Sequence, residues 1–325
     1  RYPIGRVLPI AEELLQKLRG EAPIKKFSLA GSLRRWKDTI KDIDILATSK
    51  NPQKVIHAFI HLPYVKEVLM KGPTKSSIVT NEGVQVDLRV VEEDSFGSAL
   101  AYFTGSKAHN IRLRELAVKK GLKINEYGIF KSKSGRKIGG RNETDVYKAL
   151  DLPFIPPELR EDSGEIEAAV KGALPDLVEL VDIKGDLHVH SKYSDGSHDI
   201  EELIEPAKKR GYEYIAITDH SKGLGIAGGM SIGQILEQNK KIKSLNKRLK
   251  SFKLLSGVEI DIRSNGKLDY PDEVLKKLDI VVASIHSGFR QSRELLTKRL
   301  VSAMKNPYVS IIAHPTGRLI GEREA

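Results

Sequence analysis

Two aspartates, Asp42 and Asp44, stand one residue apart in the run Asp-Ile-Asp-Ile-Leu, and the first lies ten residues beyond a Gly31-Ser32 pair that closes the apolar stretch Phe27 to Ala30. On a strand, side chains at i and i+2 share a face, so both carboxylates would stand together with Ile43 and Ile45 turned the other way. Such a pair suits hard divalent cations, and Mg²⁺ is commonly held by one or two carboxylates together with substrate phosphates. A Gly-Ser turn presents backbone N–H groups to phosphate oxygens. The combination points to nucleotidyl transfer. A solvated acidic edge strand is the plainer explanation, but the apolar Ile43 between the acids and the upstream turn favour chemistry.

A second series runs through the other half. The segments ending in His188-Val189-His190, Thr218-Asp219-His220, Gly257-Val258-Glu259, His286 and His314-Pro315 are apolar and strand-like, and Ser194-Asp195-Gly196 follows the first. Parallel α/β folds keep their sites at the C-terminal ends of strands. His188 and His190 would share one strand face. Imidazoles and carboxylates suit Zn²⁺, Mn²⁺ or Fe²⁺, and several such ions make a phosphoester-hydrolysing centre. Any one of these histidines alone would more often be structural, but five of the nine in the chain fall at equivalent strand ends.

Two different scaffolds are needed to position these groups. Around the aspartates the pattern predicts a helix over 9–19, strands at 24–30 and 43–48, a helix over 52–61, and strands at 65–70, 75–80 and 84–91 in an antiparallel-looking sheet. In the last strand Asp87 alternates with Val86 and Leu88. An Arg-rich helix from Asn110 to Lys120 ends at Gly121, residues 131–142 read as a basic, Gly-rich loop, and 151–165 as a proline-rich strap. Beyond it strands at 183–190, 213–219, 252–260, 278–285 and 308–313 alternate with helices near 199–210, 231–250, 271–277 and 291–305, which argues for a parallel sheet or barrel.

The 325 residues carry a net charge of +11 and no cysteine. Disulfides and thiolate metal sites are therefore excluded, and no apolar run approaches the roughly 20 residues that span a bilayer. No signal-peptide pattern opens the sequence. Residues 1–150 hold a net +12 and residues 151–325 a net −1, so the excess lies with the aspartate pair and implies a polyanionic partner for that half.

Both constellations resemble the bacterial and archaeal family X DNA polymerases, in which a DNA polymerase beta-like core precedes a PHP (polymerase and histidinol phosphatase) domain. The resemblance implies an α/β multi-domain fold: a nucleotidyltransferase palm with a mixed sheet at 1–95, a small α+β thumb at 96–155, a linker at 156–182, and a partial (β/α) PHP barrel at 183–325. It implies Asp42, Asp44 and Asp87 as palm carboxylates binding Mg²⁺ or Mn²⁺. Asp87 would also help deprotonate the primer 3′-hydroxyl. Gly31, Ser32 and Arg35 would bind the triphosphate, Tyr102, Phe103 and Gly105 the nucleotide sugar, and Asn110 the base. Lys107, Arg112 and Arg114 are the expected DNA contacts in the thumb. His188, His190, Asp195, His220, Glu259, His286 and His314 match seven of nine PHP ligands, for Zn²⁺ or Mn²⁺. A later Asp-x-His motif would supply the other two. With Arg1 at one end and Ala325 at the other, the sequence is expected to be cut at both ends, impairing the hydrolytic domain. Lys41, Gln85, Lys107 and Ile111 depart from the pattern of the best-known animal member or of the family.

The resemblance further implies gap-filling repair synthesis on gapped or primer-template DNA with dNTPs, a 3′→5′ exonuclease or phosphoesterase, a prokaryotic cytoplasmic, nucleoid-associated setting and a monomer. The alternatives weighed are a PHP phosphoesterase whose first half only docks DNA, and a non-catalytic DNA-binding protein.

Overall fold

A computed structural model describes residues 1–224 and 227–323, and the chain divides into two compact units, residues 1–176 and 177–325. Unit 1 begins with β1 (Tyr2–Pro3), α1 (Ile4–Glu21), β2 (Lys26–Leu29), α2 (Gly31–Arg34), β3 (Thr39–Ile40), β4 (Asp42–Thr48), α3 (Pro52–Ile60), β5 (Val65–Lys71), β6 (Lys75–Thr80) and β7 (Gln85–Val91). The main sheet has the order β2-β4-β7-β6-β5. The sheet is mixed, as the family resemblance implies: β4 and β7 run parallel, and the antiparallel look of the pattern holds for the other pairs alone.

The alternation on β4 and β7 decides which face does what. Ile43, Ile45, Val86 and Leu88 are buried under α1 and α3, whose Val7, Ala11, Leu14, Leu18, Val55, Ile56 and Phe59 complete one apolar cluster. Asp42, Asp44 and Asp87 thereby stand on the opposite face. Helix α1 starts five residues before the expected Pro9, which lies inside it. One missing N–H near the first turns costs little beside the burial of Val7. Helix α3 is capped as its sequence implies, with the Asn51 side chain accepting from Lys54 N and Pro52 in the first turn.

The remainder of unit 1 comprises α4 (Phe96–Thr104), α5 (Lys107–Lys119), β8 (Leu122–Asn125), β9 (Gly128–Lys131), β10 (Lys137–Gly139), α6 (Glu143–Lys148) and α7 (Glu165–Val170). The expected basic loop is partly a strand, because β10 pairs antiparallel with β9 in a three-stranded sheet. Helix α4 packs Phe96, Ala99 and Leu100 onto Ala30 and Leu46, so it covers one end of the carboxylate-bearing face.

Unit 2 contains β11 (Gly185–Val189), α8 (Ile200–Lys209), β12 (Tyr214–Ile217), α9 (Ile232–Asn246), β13 (Lys253–Asp261), α10 (Asp272–Leu275), β14 (Ile280–Ser284), α11 (Arg293–Met304) and β15 (Ile311–Ile312). The five strands are all parallel and lie in chain order, the arrangement of part of a (β/α) barrel wall. One face packs Ile215, Ile217 and Leu254 against α8 and α9. The other brings Ala216, Ile280, Val282 and Ala313 together. No helix among the described residues is long and apolar enough to cross a membrane.

Candidate active sites

In unit 1 the register places Asp44 directly across from Asp87, and Asp42 across from Gln85. The Gln85 Nε2 donates to Asp87 Oδ1 at 3.1 Å, which fixes that carboxylate and leaves its other oxygen unengaged by Gln85. Gly31 opens α2 at φ +61°, and a Cβ there would lie 2.1 Å from Asp44 Oδ2. Two requirements therefore coincide at Gly31, a left-handed backbone and a close approach that tolerates no side chain. Burial, then the neighbouring charges of Asp42 and Asp87, raise Asp44 from 3.8 to about 6, against the opposing pull of Arg89 and Arg35. A donor set of hard oxygens that repel one another fits a hard divalent cation.

The two arginines of the turn are engaged within unit 1. Arg34 makes a paired bond to Glu143, both arms at 2.7 Å, and also donates to Thr104 Oγ1. Fully buried Arg160 donates to the same Glu143 at 2.6 Å. Although burial pushes Glu143 up, these two guanidiniums hold it below the usual carboxylate range. Arg35 donates to Glu161 at 2.7 Å and to the Thr104 carbonyl.

Tyr102 and Phe103 end α4, packed edge to face, and the Arg89 guanidinium lies 4.4 Å from the Phe103 ring centroid. Asn110 Nδ2 donates to the Tyr102 carbonyl at 2.7 Å. Lys107 and Arg114 are exposed on α5. Arg112 is drawn instead toward Glu115, Asp162 and Glu167. On the buried side of α5, His109 Nδ1 lies 2.6 Å from Glu165 and its Nε2 3.2 Å from the Tyr147 hydroxyl.

In unit 2 the seven expected ligands converge. Glu259 Oε2 lies 3.2 Å from His188 and His190 and 3.0 Å from His220. Its Oε1 lies 3.1 Å from His286 and 3.0 Å from His314. Asp195 reaches His190 at 2.7 Å and His220 at 3.4 Å. Three overlapping sets have donor atoms within 4.8 Å of one another: His188, His190, Glu259; His190, Asp195, His220; and His220, Glu259, His286. This mixed imidazole and carboxylate set fits Zn²⁺-like or Mn²⁺-like ions.

Burial works against ionised Glu259, yet hydrogen bonds from the surrounding imidazoles hold it far below the usual carboxylate range. His286 loses to burial but gains more from Asp261 and Glu259, and rises to about 9. The backbone of His314 sits at φ +29°, a costly conformation for a histidine and one that clusters at functional sites.

Two residues beyond the expected set shape this centre. Asp261 accepts from His286 N and faces its ring. Its position two residues after Glu259 on one strand face would have revealed it. Buried Asp219 accepts four hydrogen bonds, two from Ser191 and one each from Ser194 and Gln238, and so fixes the loop that carries Asp195.

Residues 99–161 match the family model for the DNA polymerase beta thumb, and residues 186–321 match that for the PHP domain. The DNA polymerase/3′-5′ exonuclease PolX of Bacillus subtilis is 45% identical over 325 residues, an alignment covering 99% of this chain and 57% of that protein. A probable phosphatase of Caldanaerobacter subterraneus is 38% identical over 137 residues, 40% of this chain and 51% of the relative. DNA polymerase lambda of Rattus norvegicus is 30% identical over 161 residues, 40% of this chain and 28% of the relative. The chain thus spans little more than half the length of its Bacillus relative. With the carboxylate turn, the thumb and the histidine cluster following one another in this order, the chain belongs to the family X DNA polymerases that carry a PHP domain.

Proposed function

We propose that unit 1 adds deoxynucleotides to a primer 3′-hydroxyl in gapped DNA, and that unit 2 hydrolyses phosphodiesters from the 3′ end. The observation carrying the first part is the pairing of Asp44 with Asp87 across β4 and β7, with Asp42 on the same face and Gly31 pressed against Asp44. Asp42, Asp44 and Asp87 would hold Mg²⁺ or Mn²⁺, which supplies charge stabilisation for the attacking and leaving oxygens of an in-line displacement. Asp87, oriented by Gln85, takes the proton of the primer hydroxyl. The Gly31-Ser32 turn binds the triphosphate, and Arg35 joins it on leaving Glu161. Arg34 stays with Glu143 and positions the turn. Asn110 and Tyr102 line the nucleotide, and Lys107 and Arg114 meet DNA phosphates. The net +12 of residues 1–150 gives binding that weakens steeply with salt. In unit 2 the histidines, Asp195 and Glu259 would hold Zn²⁺ or Mn²⁺. We place the protein in a prokaryotic cytoplasm, working as a monomer on DNA.

The test is extension across a one-nucleotide gap with Mg²⁺ or Mn²⁺. Asp87→Ala should lower the rate by about a thousandfold or more, while His190→Ala should spare extension and remove 3′→5′ hydrolysis. No extension by the wild type, or equal extension by wild type and Asp87→Ala, sinks the polymerase reading.

A further inference from the structure

The turn after β14 carries an aromatic ring, Phe289, that belongs to no apolar cluster among the described residues. His286 is followed by Ser287-Gly288-Phe289-Arg290-Gln291, and one buried cation pins both ends of this turn. Arg299 of α11 is 3% exposed. Its Nη1 donates to the Ser287 carbonyl and to Gln291 Oε1, each at 2.9 Å, and its Nη2 to the Ile262 carbonyl. Gln291 donates onward to the Ser264 carbonyl. At Gly288, φ is +72° and a Cβ would sit 3.1 Å from Arg299 Nη1, so glycine permits both the turn and the approach of the guanidinium.

Phe289, at the apex, is 38% exposed. Its ring edge lies 3.2 Å from where a Cβ on Gly317 would be, and Gly317 N closes a turn onto the carbonyl of His314. The Arg323 guanidinium lies 4.0 Å from the ring centroid and is itself tied to the Gly317 carbonyl. The ring is therefore wedged between two turns, one following His286 and the other starting at His314. Arg290, beside it, is exposed and has no ion-pair partner among the described residues. A water-exposed ring held this firmly does not serve the core. An aromatic face backed by a cation and flanked by a free one is what binds an unstacked base and its phosphate, with little regard to sequence.

We propose that Phe289, backed by Arg323, seats the terminal base of a single-stranded DNA end whose phosphodiester lies at the histidine cluster, with Arg290 meeting an adjoining phosphate. This deepens the reading of unit 2 as a 3′-end hydrolase and rests on it. The probe is a DNA single strand with 2-aminopurine as its 3′-terminal base and a hydrolysis-resistant phosphorothioate terminal linkage. Wild type and Phe289→Tyr should quench its fluorescence. Phe289→Leu, which keeps an apolar side chain without a π face, and Phe289→Ala should not.

On cleavable strands, Phe289→Ala should lose about tenfold or more in kcat/KM, and the wild-type advantage should vanish when the strand ends in an abasic residue. Equal quenching by wild type and Phe289→Leu, or an equal loss on base-ended and abasic strands, overturns the proposal. Absence of any cleavage by the wild type overturns the hydrolase reading instead, and the fluorescence comparison then still decides whether the ring binds a base.

Discussion

In unit 1 three carboxylates share one sheet face, and burial with mutual repulsion lifts Asp44 to about 6. In unit 2 a single buried carboxylate, Glu259, is ringed by five imidazoles and held far below its usual range. Both arrangements suit divalent cations, but their protein-only electrostatics have opposite signs. The first is unfavourable until a cation joins it, which fits an ion that arrives with a triphosphate. The second already has opposite charges in contact, which fits a resident centre. The difference follows from geometry. Adjacent parallel strands can bring acids face to face, whereas successive strand ends around a curved sheet each contribute one or two side chains to a common point.

Removing the central acid should therefore move the two units in opposite directions. The largest effect is expected from Glu259→Gln, which leaves the imidazoles without their counter-charge. In the presence of chelator this should lower stability by about 3 kcal/mol, read by thermal unfolding at neutral pH. The folded state depresses the pKa of Glu259, so its contribution is present above its unfolded value and is lost on acidification.

Asp44→Asn should do the reverse. The folded state raises the pKa of Asp44 from 3.8 to about 6, so the folded chain binds more protons across that window and loses stability as pH rises through it. Ionised Asp44 then costs on the order of 2 kcal/mol at neutral pH, allowing for solvent screening. The variant should unfold at higher temperature than wild type with chelator present, and should lack the stabilisation by an added divalent cation that is expected of the wild type. A destabilised Asp44→Asn would break the contrast.

The smallest effect belongs to a pair that needs no ion at all. Burial holds His109 below its usual 6.5, with the Glu165 hydrogen bond opposing, and both ring nitrogens already have partners in Glu165 and Tyr147. The neutral imidazole is the folded form. The unfolded chain takes up a proton as pH falls through 6.5 and the folded chain resists, so unit 1 should become less stable below that pH. Unfolding temperature plotted against pH should be flatter in that window for His109→Gln than for wild type. Identical slopes would show that burial does not insulate His109 from protonation.

What could be read in advance depended on the range of the interaction. Asp42, Asp44 and Asp87 were legible because period two exposes them within each strand, and His188 to His314 because each closes an apolar run. The facing of Asp44 and Asp87 was not, because it depends on β4 and β7 being parallel, and only chain topology sets that. Nor could sequence show that Arg34 and Arg35 are engaged by Glu143 and Glu161, partners more than a hundred residues away. A short element such as β10 reads as loop because its own residues barely encode it. β10 exists through its pairing with β9, and the helix expected at 271–277 is one turn at Asp272–Leu275.

The order of the strands in unit 2 gives the histidine cluster a mechanical role. His188 sits on β11, one border of the sheet, and His314 follows β15, the other border and only two residues long. Both meet the same carboxylate. An ion held there would act as a clasp between borders that share no backbone hydrogen bonds. Opening either border would cost the ion a ligand, so fraying at the edges and release of the ion become a single event. Amide exchange at Ile311 and Ile312, ordinarily fast in so short an edge strand, would then report on occupancy of a site in which neither residue takes part.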